Sequence, residues 1–507
     1  MDYQLDTGTI VGVIGAGSMG GGIAQVAAAS GHRVRLLDAH PGATTKAIER
    51  IAADLAGGVQ RRRIDEQQRE TMLGAITAVD SMDALEGCGL VVEAVAENLE
   101  AKQSLFREIE HVVSNRTVLA TNTSSISITA IAQGLQHPQR LIGWHFFNPA
   151  PRMKLVEIVR GLETDPLLAA LMRTLSRAWG KTPVSAPNTA GFIVNRVARP
   201  YYGEPLRLLA EGLASVAAID RLLTEAGGFA LGPFELIDLI GVDVNQAVTN
   251  SVFEATQWDA RYAPHPIQQE LVRAGHYGRK TGRGFYDYRP GAVKPVAPAL
   301  APAAVPAVPL RVPADAGLLE PLVTRLRAAG VAVEDDAALP ARVLAFGDTR
   351  VALTDGRTAT ERGAGEGGRM LLLDLARDFA TTRLVGAAAS AGAEGELSVL
   401  AALLSPAGIG LLTLGDVAGL AVMRTVCQIA NEACDVMTWT GTSAADIDIA
   451  MVLGTAYPVG PLAWADTLGA STVLEVLEHL QEQYGDPRYR RSPRLKRAHF
   501  AGLSLHA

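Results

Sequence analysis

Gly15-Ala16-Gly17-Ser18-Met19-Gly20 stands between an apolar run at residues 9–14 and a helical pattern leading to a second apolar run at 33–37, which Asp38 closes. Strand, glycine turn, helix and strand in that order make the first unit of a doubly wound α/β sheet. Gly15 permits the tight turn, Gly17 lets a pyrophosphate approach the backbone, and Gly20 allows helix and strand to pack closely. The first helical turn, with Ser18 and Met19, offers free N–H groups and a positive dipole end to phosphates. The glycine pattern alone also fits a structural turn. Asp38 discriminates: a carboxylate there accepts the hydroxyls of an adenosine ribose and repels a 2′-phosphate, which selects NAD over NADP.

Outward from this unit, short apolar runs continue at residues 90–92, 117–120, 141–144 and Leu155–Val159, alternating with helical patterns up to Pro187. That alternation predicts a Rossmann-type, mainly parallel sheet over residues 1–187. Residues 43–74 read as two helical pieces with many charges on one side, either a projecting arm or a surface helix pair.

Beyond Pro187 the period becomes 3.6, as in Phe192, Val194, Val197 and Tyr201, and predicts an all-α domain at 188–289. Residues 290–313 are almost entirely Pro, Ala and Val and read as a semi-rigid linker. Residues 314–404 carry short strand-like runs and predict a small, degenerate α/β domain. Residues 405–507 repeat the helical domain. At a constant offset of 228, Ala190-Gly191 falls on Ala418-Gly419, Arg196 on Arg424 and Ile219-Asp220 on Ile447-Asp448. The same offset brings Gly232-Pro233 onto Gly460-Pro461 and Asp238 onto Asp466, which indicates duplication. Asn195 becomes Met423.

A net charge of −7 argues against a main role on nucleic acid, although Arg61, Arg62 and Arg63 form a local basic patch. Hydrophobic content of 48% over 507 residues is enough for several cores. Three cysteines, Cys88, Cys427 and Cys434, have neither metal-ligand spacing nor the number a disulfide framework needs. Cys427 and Cys434 are seven apart in a helical pattern and read as buried. The start has no basic region before its apolar run, and no run reaches the ~20 residues of a membrane helix. The expectation is a cytoplasmic protein with no metal, nucleic-acid or membrane partner.

Polar residues gather where the strands end, the ligand-binding edge of open α/β sheets. They are Glu97 and Asn98, then Asn122 to Ser125, then His145 and Asn148, with Glu157 inside the next strand. His145 lies among Trp144, Phe146 and Phe147, which exclude water. A histidine titrates near neutrality and can take a hydroxyl proton while hydride leaves the same carbon. A carboxylate on its other nitrogen fixes the tautomer.

Gly143-Trp144-His145-Phe146-Phe147-Asn148-Pro149 with Lys154-Leu155-Val156-Glu157 resembles the signature of the 3-hydroxyacyl-CoA dehydrogenases. Thr121-Asn122-Thr123-Ser124-Ser125 and Gly191-Phe192-Ile193-Val194-Asn195-Arg196 are similar to the same family. The resemblance implies NAD as cofactor, an acyl-CoA as substrate, His145 as base and Glu157 as its orienting partner. It implies Ser124 and Asn195 at the reacting oxygen or thioester, and Glu97, Lys102 and Asn122 on the cofactor side. It also implies that the helices after the second strand help to hold CoA. The tandem layout is most like members that act on 3-hydroxyadipyl-CoA in phenylacetate breakdown, with 3-hydroxybutyryl-CoA the alternative substrate. One-copy members pair through the helical domain, so the second copy is expected to act as a built-in partner, an internal pseudo-dimer open to further homo-oligomerisation. A dehydrogenase of free hydroxy acids leaves the His-Phe-Phe-Asn-Pro segment unexplained. A non-catalytic NAD-binding protein leaves Ser124, His145, Glu157 and Asn195 without a reason.

Overall fold

The computed structural model describes residues 5–303 and 308–507, so residues 304–307 of the expected linker lie outside the described residues. The chain forms two compact units, Met1–Arg196 with Ala445–Thr455, and Val197–Ala444 with Ala456–Ala507.

The first unit is built on eight strands: β1 (Val11–Ile14), β2 (Val34–Leu37), β3 (Ile76–Val79), β4 (Leu90–Glu93), β5 (Val118–Thr121), β6 (Leu141–Phe146), β7 (Leu155–Val159) and β8 (Thr182–Ala186). Their order is β3-β2-β1-β4-β5-β6-β7-β8. The first six are parallel, β7 is antiparallel to β6, and β8 is parallel to β7. Near-continuous Val, Leu and Ile suit strands covered on both faces, and β1, β4, β5, β6 and β7 are buried throughout. The apolar-run reading did not anticipate β3 and β8. β3 is an edge strand with Thr77 and Ala78 exposed, and β8 carries Pro183 and an exposed Ser185, so neither has an unbroken apolar run.

Three helices matter for the site: α1 (Ser18–Ala29), α2 (Ala43–Gln60) and α3 (Glu66–Gly74). Ala47, Ile51 and Leu55 recur every fourth residue on α2 and join the core that contains Ile23 and Val26 of α1. The pair at 43–74 is therefore a packed surface pair. Asp65 starts α3 with a capping box to Gln68.

The second unit contains a seven-stranded sheet of order β10-β9-β11-β12-β13-β14-β15. Its strands are β9 (Leu310–Val312), β10 (Val333–Asp335), β11 (Val343–Phe346), β12 (Thr349–Leu353), β13 (Arg369–Leu373), β14 (Leu384–Ala389) and β15 (Gly410–Thr413). The sheet thus overruns the expected 314–404 at both ends. The end of the expected linker is β9, and before it Leu300 N–H donates to the Leu411 carbonyl at 2.7 Å and Ala303 N–H to Ser398 at 3.0 Å. Proline-rich sequence removes donors but leaves enough to pair with a sheet.

The duplication is geometric. Helix Pro233–Ile240 recurs as Pro461–Leu468, and Gly191 and Phe192 (φ +73° and +50°) recur as Gly419 and Leu420 (φ +77° and +53°). Within this unit helix Arg199–Ala210 meets helix Val422–Thr440 through a fully buried Arg424. Its Nε donates to Glu204 at 2.8 Å and its Nη2 to the Tyr489 hydroxyl at 2.7 Å, and both Nη atoms donate to Glu211 at 3.0 Å. Arg261 likewise reaches Glu432 and Asp435. Cys88, Cys427 and Cys434 are buried. Among the described residues no helix is long and apolar enough to cross a membrane.

Candidate active site

At the glycine turn each glycine has a separate physical reason. Gly15 has φ +99°, and a Cβ there would lie 2.5 Å from the Ala94 carbonyl oxygen. A Cβ on Gly20 would lie 1.7 Å from the Gly15 carbonyl oxygen, whereas one on Gly17 would meet nothing within 4 Å. Gly15 and Gly20 close the packing, and Gly17 borders open space of the kind a pyrophosphate needs. Asp38 receives the Ala16 N–H at 2.6 Å and the His40 N–H at 2.8 Å. Burial pushes its carboxyl up, but those donors outweigh it and hold the group below its ordinary value. The cradle therefore fits a dinucleotide with two free ribose hydroxyls. Ser18 donates to Asn148 at 3.2 Å, tying the turn to the loop after β6. The Met19 side chain packs against the core of the unit, which leaves its place in the first helical turn, where the N–H groups face the glycine turn, as the sequence reading had it.

The ends of β4 and β5 hold a buried network that sequence reading missed. Glu93, with no exposure, accepts from Lys102 Nζ at 2.5 Å and from the Thr121 hydroxyl at 2.6 Å. Lys102 is 1% exposed and lies 3.4 Å from Glu97. Its route to a ligand therefore runs through Glu97. The Glu97 Oε1 accepts from the Thr123 hydroxyl at 2.7 Å and from the Ser124 and Ser125 N–H groups at 2.9 and 3.1 Å. Burial alone would raise this carboxyl; Lys102 and the serine and threonine donors hold it below its ordinary value. The Ser124 hydroxyl reaches the same oxygen at 3.3 Å. Asn122 accepts the Phe146 N–H at 2.8 Å and so pins the strand end beside His145.

His145 and Glu157 are directly paired residues of β6 and β7. Antiparallel register brings them together, and His145 Nδ1 lies 2.7 Å from Glu157 Oε2. Glu157 is fully buried and His145 is 6% exposed, with the Phe147 and Phe192 rings at 4.5 and 5.7 Å. The other carboxylate oxygen of Glu157 accepts the Ile193 and Val194 N–H groups, both at 3.0 Å. One carboxylate thus orients the imidazole and fixes the start of the short helix Val194–Val197, which carries Asn195.

Beside α1 and α2 a cleft of about 460 Å³ is lined by Arg61, Arg63, Arg152, Lys154 and Lys181, with Asp54 its only carboxylate. Asp54 is already held by Gln25 and Arg152. A neighbouring cleft shares Gln25, Asp54, Pro151 and Arg152 and reaches Gly17 and Ser18. Lys181 is buried and donates to the carbonyls of Ala150 and Met153. Burial and the charge of Lys154 push its ammonium down to about 8.

Residues 10–189 match the model for the 3-hydroxyacyl-CoA dehydrogenase NAD binding domain, and residues 191–288 and 411–503 match the C-terminal domain of that family. The chain belongs to the 3-hydroxyacyl-CoA dehydrogenase family. Residues 351–417 match the 3-hydroxybutyryl-CoA dehydrogenase reduced Rossmann-fold domain. The chain is 41% identical to the 3-hydroxyadipyl-CoA dehydrogenase of Escherichia coli (strain K12), over 95% of each chain. The crystal structure of 3-hydroxybutyryl-CoA dehydrogenase from Escherichia coli K12 superposes with a TM-score of 0.89 at 39% identity, covering 98% of this chain and 99% of that one. A probable 3-hydroxybutyryl-CoA dehydrogenase of Bacillus subtilis is 38% identical over 96% of its own length but only 54% of this chain. The enzyme is an NAD-dependent 3-hydroxyacyl-CoA dehydrogenase.

Among the described residues of the second half of this dehydrogenase, the positions of the His145–Glu157 pair are occupied differently, but a carboxylate still clamps the helix start. Register places Gly386 of β14 where β7 has Glu157, because Leu384 faces Gly410 as Leu155 faces Thr182. Across from it, where β6 has His145, stands Asp374, whose N–H bonds the Gly386 carbonyl. Asp374 accepts the N–H groups of Ala421, Val422 and Met423 at 3.0, 2.8 and 3.0 Å. These are the counterparts of Ile193, Val194 and Asn195.

Proposed function

We propose that the enzyme oxidises (3S)-3-hydroxyadipyl-CoA to the 3-keto thioester in phenylacetate breakdown, with His145 as the base. The observation that carries the chemistry is the buried His145–Glu157 pair at 2.7 Å. Glu157 keeps the proton on Nδ1, so Nε2 is free to accept the 3-hydroxyl proton. NAD, held at Gly15, Gly17, Gly20 and Asp38 with Glu97 on its nicotinamide side, supplies the acceptor for the hydride that leaves C3. The aromatic walls of Phe147 and Phe192 keep water from the imidazole. Ser124 and Asn195 hydrogen-bond the reacting oxygen or the thioester.

The five cations of the α1–α2 cleft, opposed by one carboxylate that is already bonded, favour the phosphates of the CoA nucleotide. Arg61 and Arg63, the basic patch of the sequence, then act together with Arg152, Lys154 and Lys181. The helix pair Arg199–Ala210 and Val422–Thr440 supports the reading of the second copy as an internal dimer partner. A chain with only three cysteines, all buried, fits a cytoplasmic enzyme.

The adipyl group is favoured by the full-length likeness to the 3-hydroxyadipyl-CoA enzyme. A 3-hydroxybutyryl-CoA reading is favoured by the full-length structural neighbour. Steady-state kcat/KM for the two thioesters decides: a higher value for 3-hydroxybutyryl-CoA overturns the adipyl assignment. In the same assay His145→Gln should lower kcat by about 10²–10⁴ while NADH still binds. Near-normal turnover would remove His145 from the base role.

A further inference from the structure

We infer that Gly454, in the second helical copy and 309 residues beyond His145 in the chain, is a positioning residue for the His145–Glu157 pair. Ala445–Thr455 belongs to the compact unit that contains the catalytic strands, although the rest of its helical copy does not. Helix Ala444–Thr455 sets Ile447, Met451 and Gly454 on one face, and Ile447 and Met451 have no exposure. At Gly454 that face meets the catalytic carboxylate's own supports. A Cβ on Gly454 would lie 2.8 Å from the Leu155 side chain and 3.0 Å from a Val194 methyl.

Both contacts lead to Glu157 in one step. Leu155 precedes Glu157 by two residues on β7 and so projects from the same face. Val194 gives Glu157 one of its two N–H bonds and opens the helix carrying Asn195. Leu155 is 0% and Val194 3% exposed; Leu155 meets the added methyl with the end of its side chain, which can yield, whereas the valine is stiff at χ1 and cannot swing away. The start of helix Val194–Val197 must shift instead, drawing the Ile193 and Val194 donors off the carboxylate that aligns His145.

The second unit has a related packing: a Cβ on Gly386, the counterpart of Glu157, would lie 2.6 Å from the Leu414 side chain and 3.1 Å from Leu222, in the first-copy segment Leu222–Ala226. At the offset of 228 Leu222 falls on Ala450 of helix Ala444–Thr455, and Ala226 on Gly454. In each unit a segment of the other half's helical copy packs on the strand, β7 or β14, but the small residue is a glycine only beside the catalytic strand.

Gly454→Ala in the full-length enzyme tests this, because alanine is the better helix former and adds only the β-carbon. The expected result is a kcat about 10-fold lower, with KM for the acyl-CoA and NADH affinity within about two-fold, since a shift of a full 1 Å costs about 10²-fold. Adding Val194→Ala removes the two stiff valine methyls, leaves only the yielding end of Leu155 opposite, and should restore most of kcat. NADH fluorescence titration verifies that each variant is folded. An unchanged kcat in Gly454→Ala, or a loss that Val194→Ala does not repair, overturns the inference. It rests on the assignment of His145 and Glu157, whose own failure appears separately, as undiminished turnover of His145→Gln.

Discussion

Single residues divide the labour of the site, and the division can be tested at one carboxylate. Asp38 is bonded to two backbone N–H groups, so it holds the glycine turn as well as taking the ribose role proposed for it. Asp38→Ala should weaken NADH binding and raise relative turnover with NADPH, leaving KM for the acyl-CoA unchanged. Isothermal titration with both cofactors checks it, and equal loss of cofactor and thioester binding would instead mark general unfolding. The closeness of His145 to Glu157 and the glycine turn were legible because both are tied to short spacings along the chain. Glu93 and the inward turn of Met19 were not. Lys102 was expected on the cofactor, and only the fold reveals that its ammonium is spent on Glu93 and Glu97. Contacts made between strand ends leave no periodic trace in sequence.

Elements add what residues lack alone. The helix pair α2–α3 was readable from its charge and its period, but not the cleft it makes with α1 and the loop at 151–154, because those segments are far apart in sequence. The cleft makes a pH prediction. Lys181, pushed down to about 8 by burial and by Lys154, is charged below that pH and neutral above it. A bound phosphate favours the charged form, so affinity for the CoA end should be level below pH 8 and fall as pH rises through it. KM for acetoacetyl-CoA should rise above about pH 8. KM for the N-acetylcysteamine thioester of the same acyl group, which has no phosphate, should not. Parallel rises for both would assign the effect to the reaction centre. Strands β3 and β8 mark the limit of element prediction: an edge strand with one buried residue and a strand containing proline give no apolar run to read.

At the scale of the molecule the 228-residue offset was visible in aligned Ala-Gly, Ile-Asp and Gly-Pro positions, and the structure repeats it in helix bounds and in positive-φ residues. Among the described residues the second sheet carries neither the glycine turn nor the His–Glu pair. Calorimetric titration should therefore find one NADH per chain; two equivalent sites would contradict a single catalytic half. The fate of the dyad position has a further consequence. Evolution has run a subtraction inside one polypeptide: the imidazole is gone, yet a carboxylate still collects the N–H groups that open the helix at 421–423. What survives the loss of chemistry is what the architecture demands by itself. By that reckoning Glu157 holds two offices, one inherited by Asp374 and one abandoned. Replacing Glu157 disturbs scaffold and reaction at once, while replacing His145 touches only the function its duplicate has already done without.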